Sequence, residues 1–194
     1  MKMIRVVLTS ILFISLWIVF MNADFTQGNN QKEFSNNKPE CWTDEIRQKI
    51  IKKYAQKYNM SVYSLDDSMP GGVVKSTGVG FRINQPISKE KARQILVECT
   101  QEYIHEINNK KELRPYLENY PVNEKNIDLS IYIYDKNGDQ VFYPNLGHVS
   151  LFMGNLEYFI RDPKHQDNRN PCETEPFEEA VKKAKEEIPK EDLL

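Results

Sequence analysis

The chain has no block of lysines and arginines interleaved with aromatics, and its 26 basic residues are outnumbered by 28 acidic ones. A formal charge of −2 gives a phosphate backbone nothing to hold, so nucleic acid is not an expected partner. Histidine is scarce: only His105, His148 and His165 occur. His105-Glu106 falls on a predicted helix, but position 109 is Asn109, so the two-histidine spacing of a zinc helix is absent. Asp162, His165 and Asp167 share a polar loop, a setting that collects such side chains without a metal. His148 opens a predicted strand and is expected to be a cross-strand pairing residue, not a base. There is no G-x-S-x-G elbow and no G-x-x-x-x-G-K loop. The GVGF stretch from Gly78 to Phe81 lacks a following helix and is expected to be a bulged strand. No cofactor fingerprint is legible, so no cofactor and no metal are expected.

Cysteine is limited to Cys41, Cys99 and Cys172. None follows the apolar N-terminus closely, so a lipid-anchored start is not expected. Lys2 and Arg5 precede a 16-residue uncharged apolar run, Val6 to Met21. That length lies between a cleavable signal and a spanning helix, so residues 1–22 are expected to be a signal peptide or a membrane anchor. Loss of Lys2 and Arg5 would leave a mildly acidic mature chain. Residues 23–40 are rich in Asn and Gln and poor in apolar groups, the composition of a flexible linker.

Residues 41–190 are expected to fold as one α+β domain, with an antiparallel sheet of about four to six strands and two or three helices. Thr43 to Tyr58 predicts a helix capped by Thr43, with an apolar stripe through Ile46, Ile50 and Tyr54. Its lysines read as a solvated face, or as a contact for an acidic partner. Ser88 caps a longer helix to Asn108, striped by Ala92, Ile95, Leu96, Cys99, Tyr103 and Ile107. Ser61 to Leu65 and Val73 to Ile83 are strand candidates around a turn at Pro70-Gly71-Gly72. The densest pattern is Asn126 to Asp162, where Ile127, Leu129, Ile131 and Ile133 alternate with Asp128, Ser130, Tyr132 and Tyr134. Asn137-Gly138 predicts a hairpin back to Gln140–Tyr143, and Gly154-Asn155 a second one between His148–Met153 and Leu156–Arg161. A last helix is expected from Glu175 to Ile188, with Pro176 in its first turn.

The stretch Leu113 to Asp135 (LRPYLENYPVNEKNIDLSIYIYD) resembles a pattern in an uncharacterised family of exported or membrane-anchored bacterial proteins. Val122 stands where that pattern has an aromatic. The resemblance implies export and a helix-to-strand order, and no activity.

Two function classes follow. The first is a non-catalytic binding module, tethered to a membrane through its N-terminal segment and facing a protein partner at a cell envelope or host surface. Tyr132 and Tyr134, opposite the apolar face of their strand, are its candidate binding residues unless a second helix layer covers them. The second is a small exported hydrolase with a site assembled from distant residues. Cys99 belongs to a core stripe and is expected to be inert. Cys41 and Cys172 lie in polar segments of an exported chain and are the candidate disulfide pair.

Overall fold

The computed structural model describes residues 38–164 and 170–187. The N-terminal apolar run, almost all of the expected linker, His165, Asp167 and Ile188 lie outside them. Among the described residues, three α-helices and one six-stranded sheet make up the α+β domain: α1 (Lys38–Tyr58), β1 (Ser61–Ser68), β2 (Ser76–Ile83), α2 (Lys89–Asn109), β3 (Ile127–Ile133), β4 (His148–Phe152), β5 (Asn155–Phe159), β6 (Glu173–Pro176) and α3 (Phe177–Glu186). The strands lie side by side in sequence order.

The sheet is mixed rather than wholly antiparallel. Thr77 to Ile83 pair in parallel with Ile127 to Ile133, and every other neighbour is antiparallel. The cause is the connection: α2 carries the chain from the end of β2 back to the start of β3, as a parallel pair requires. Ser88 caps α2 as expected, accepting from the Lys91 amide at 3.1 Å, and every residue of its predicted stripe is buried. On β3, Ile127, Leu129, Ile131 and Ile133 are fully buried against the helices, and the residues between them are half-buried on the other face.

Helix α1 starts five residues before Thr43, so the last residues of the expected linker are helical. Thr43 is not a cap. Its buried hydroxyl donates to the carbonyls of Pro39 and Glu40, both at 2.9 Å, inside the second turn. Three lysines of α1 meet their acidic partners within the molecule. Lys57 pairs with Glu98 at 2.6 Å, Lys53 with Glu102 at 2.5 Å and Lys49 with Glu106 at 3.6 Å, one pair per turn along α2. Such exposed pairs each contribute less than about 1 kcal/mol and act mainly to set the register of the two helices.

The chain turns back at Asn137-Gly138, with the Asp135 amide donating to the Asp139 carbonyl at 2.9 Å, but the expected paired run Gln140–Tyr143 does not follow. The Asp135 carboxylate accepts from the amides of Asn137 at 2.8 Å and Asp139 at 2.9 Å, and this closes a wider loop. Only a single bridge, Tyr134 to Gln140, remains of the second strand. The β4–β5 hairpin forms one residue earlier than expected, on Met153 (φ 50°) and Gly154 (φ 80°), both left-handed as a tight two-residue turn requires. The last helix begins at Phe177, because Glu175 belongs to β6.

The expected bridge between Cys41 and Cys172 is not made: all three cysteines are free. Cys41 lies in the first turn of α1, a helix tied to β1 by Arg47 and Asp67 at 2.6 Å. Cys172 precedes β6 at the opposite edge, its thiol donating to the Tyr158 carbonyl at 3.1 Å. Five inter-strand steps of about 4.8 Å separate the two edges by roughly 24 Å, whereas a bridge needs Cα atoms within about 7 Å. Cys99 is buried, and burial raises its pKa well above that of a free thiol.

Candidate functional site

All three helices pack on one side of the sheet. The other side is covered by no helix among the described residues, and on it the strand alternation gathers a distinct set of side chains. Register places Tyr132 of β3 opposite His148 of β4, and His148 opposite Phe159 of β5. Tyr63 joins them from β1, because a bulge between Val62 and Ser64 turns its ring onto this face. The four rings form one row across the sheet. Centroids are 4.3 Å apart for Tyr63–Tyr132, 4.4 Å for Tyr132–His148 and 5.0 Å for His148–Phe159. Both faces of Tyr132 are therefore occupied, and a ligand would meet its edge and its hydroxyl rather than stack on it.

Beside the row runs a trough of small residues: Ser64, Gly80, Ser130 and Ser150. Gly80 is needed there, since a Cβ would come 2.3 Å from the Ser64 hydroxyl and 3.3 Å from the Tyr132 ring. Glu157 closes the trough on β5, and beyond it stand Asp66, Asp128 and the exposed Phe152. With Tyr132 and His148 these line an open depression of about 350 Å³. Burial raises the pKa of Asp128, a hydrogen bond from Ser76 opposes that rise, and the neighbouring charge of Asp66 adds to it.

The opposite end of the face is basic. The Arg82 guanidinium lies 4.0 Å from the Tyr134 ring centroid and Arg161 lies 5.4 Å from it. Arg161 donates to the Ile133 carbonyl at 3.2 Å and Arg82 to the Gly138 carbonyl at 3.1 Å.

Tyr132 and Tyr134, singled out from the sequence, thus lie on the uncovered face, half-buried, at the row and at the basic end. Tyr63 and the arginines escaped sequence reading. The β1 bulge breaks the period-2 pattern that would have assigned Tyr63, and Arg161 lies past the end of its strand. His148 is the cross-strand pairing residue expected. Burial, and to a lesser degree the charge of Arg161, lower its pKa to about 4, so the ring is neutral at pH 7. Its Nε2 has no hydrogen-bond partner, so it is not linked to Ser130 or Ser150 as a base is to its nucleophile. His105 is exposed on α2 beside Asn109, at 2.8 Å. No cluster of three or more metal-ligating side chains occurs among the described residues.

No protein-family model matches the chain, and no curated protein or solved structure is significantly similar to it.

Proposed function

We propose that the chain is a non-catalytic binding module that presents the uncovered face of its sheet to a partner. The observation that supports this reading is the row of four rings with an acidic depression on one side and arginines on the other. Such a surface is costly to leave in water, and aromatic and arginine side chains are enriched at interface centres. Tyr132 and Tyr134 belong to this surface, together with Tyr63, His148, Phe159 and Phe152. A photo-reactive phenylalanine analogue at Phe152 is expected to form adducts, and one at Lys52, exposed on α1, is not.

Export or membrane anchoring through residues 1–22 is part of the same proposal, with the charge distribution around the Val6–Met21 run as its support. Fusing residues 1–37 to a reporter should carry the reporter into or across a membrane. A soluble cytosolic reporter with an intact N-terminus would end this part of the reading.

A small hydrolase is the second reading, favoured by one observation: the depression gathers His148, two serines and three carboxylates. It would need His148 to swing out of the ring row to reach Ser130 or Ser150.

A further inference from the structure

The uncovered face carries opposite charge at its two ends, and the aromatic row lies between them. Along β3 and the residue that follows it the order is Asp128, Ser130, Tyr132, Tyr134. Asp66 lies level with Asp128 across Gly78, and Glu157 lies level with Ser130 across Ser150. Arg82 is in register with Tyr132, and both its guanidinium and that of Arg161 reach the Tyr134 ring. Neither arginine pairs with a carboxylate among the described residues, and Asp66, Asp128 and Glu157 pair with no cation there. Asp66 takes only the Ser64 hydroxyl, at 3.0 Å. The face therefore carries acidic and basic groups with no internal counter-ions, placed on either side of one line.

A two-fold axis along that line, parallel to the sheet and perpendicular to its strands, has a specific consequence. It lays one copy of the face on another with the Asp66–Asp128–Glu157 end of each over the Arg82–Arg161 end of the other. The ring rows meet at the axis. An axis along the strands would instead set acid on acid. We infer that the partner of this face is a second copy of the chain, docked about the aromatic row as an isologous dimer with two sheets face to face. The inference rests on the uncovered face being the binding face, and adds to it the identity of the occupant.

Area sets the strength. Five strands at about 4.8 Å and six residues of β3 at about 3.3 Å give a patch of about 24 by 20 Å, or roughly 480 Å² per copy. Two such patches bury roughly 1,000 Å², the lower limit for a specific interface, so association is reversible and depends on the charge pairs. Those pairs are at the rim, and salt weakens them.

The test uses two differently tagged full-length chains in detergent and measures capture of one by the other. Wild-type chains should capture each other, and capture should fall several-fold between about 50 mM and about 500 mM salt. Reversing one end with Arg82→Glu and Arg161→Glu, or the other with Asp66→Lys and Glu157→Lys, should cut self-capture at least tenfold. Mixing the two reversed chains should restore it, which a misfolded variant could not do. No capture of wild type by wild type, or capture indifferent to both charge reversal and salt, overturns the dimer. Adducts from Phe152 to a different protein, without self-capture, remove the second copy and leave the binding face standing. No adducts from Phe152 at all remove the binding face itself.

Discussion

Replacing Glu175 with Ala is expected to lower the melting temperature by roughly 10 °C. The Glu175 carboxylate is buried beneath α2 and α3, where Arg93 donates to it at 2.7 Å, Lys183 at 2.6 Å and the Tyr158 hydroxyl donates as well. Arg93 is itself 3% exposed, and its other partner is Glu187 at 2.5 Å. Removing Glu175 takes away the more buried of the two carboxylates on Arg93 and leaves the Tyr158 hydroxyl without its acceptor, at a cost of about 3–5 kcal/mol. At about 2–4 °C per kcal/mol for a domain of this size, the fall in melting temperature follows. Glu173→Ala, two residues earlier on the same face of β6 but at its exposed end, should cost less than about 1 kcal/mol, because its pair with Lys89 is at the surface. The same network sets a pH dependence. Burial alone would raise the pKa of Glu175, but the hydrogen bonds from Arg93, Lys183 and Tyr158 outweigh it and bring it to about 2. A carboxylate lowered on folding stabilises fully above its ordinary value, near 4.5, and loses that contribution as pH falls from there toward 2. Acid unfolding curves of wild type should therefore be steeper in this window than those of Glu175→Gln.

Gly78→Ala should destabilise by about 3 kcal/mol or more, at or above the upper end of the usual cost of overpacking. A Cβ at Gly78 would lie 1.7 Å from the Asp128 carbonyl oxygen, a backbone atom that cannot swing away without separating β2 from β3. That is the parallel pairing that α2 closes. Gly80→Ala is the informative contrast. Its nearest atom is the Ser64 side chain on the edge strand, which can rotate, so roughly 1 kcal/mol is expected. Urea denaturation of both variants would check the order, and equal costs would mean that β1 and β3 are equally free to yield.

These two sites show where the sequence stopped being readable. The buried stripe of α2 and the alternation on β3 were legible because each is a local period imposed by one packed face. Glu175 was taken for a helix start, since a Glu before Pro-Phe looks like a first turn, and only tertiary structure brings Arg93 to it across 82 residues. The parallel β2–β3 pairing was missed for the same reason: alternation tells which face of a strand is buried, not which strand lies beside it. The glycines of β2 were read as a bulge, but they mark a close backbone approach, and the bulge is on β1. Of the candidate site, Tyr132 and Tyr134 could be placed by phase alone. The row they belong to could not, because Tyr63, His148 and Phe159 come from three other strands.

Tyr132 contributes to the packing of this face as well as to its surface. It stacks between Tyr63 and His148, and such aromatic pairs contribute about 0.5–1.5 kcal/mol each, so Tyr132→Ala should unfold several degrees lower. Loss of binding in that variant would be ambiguous. Phe152 is 55% exposed at the edge of the depression and takes part in no ring contact, which makes it the cleaner probe of the face.

The most direct measurement is photo-crosslinking from Phe152 in the full chain, in its native membrane fraction, with Lys52 as the control position. The expected result is a discrete adduct from Phe152 and none from Lys52, at twice the mass of the chain if the partner is a second copy. Adducts from Lys52 alone, or none from either position, would contradict the claim that the uncovered sheet face is where this protein binds.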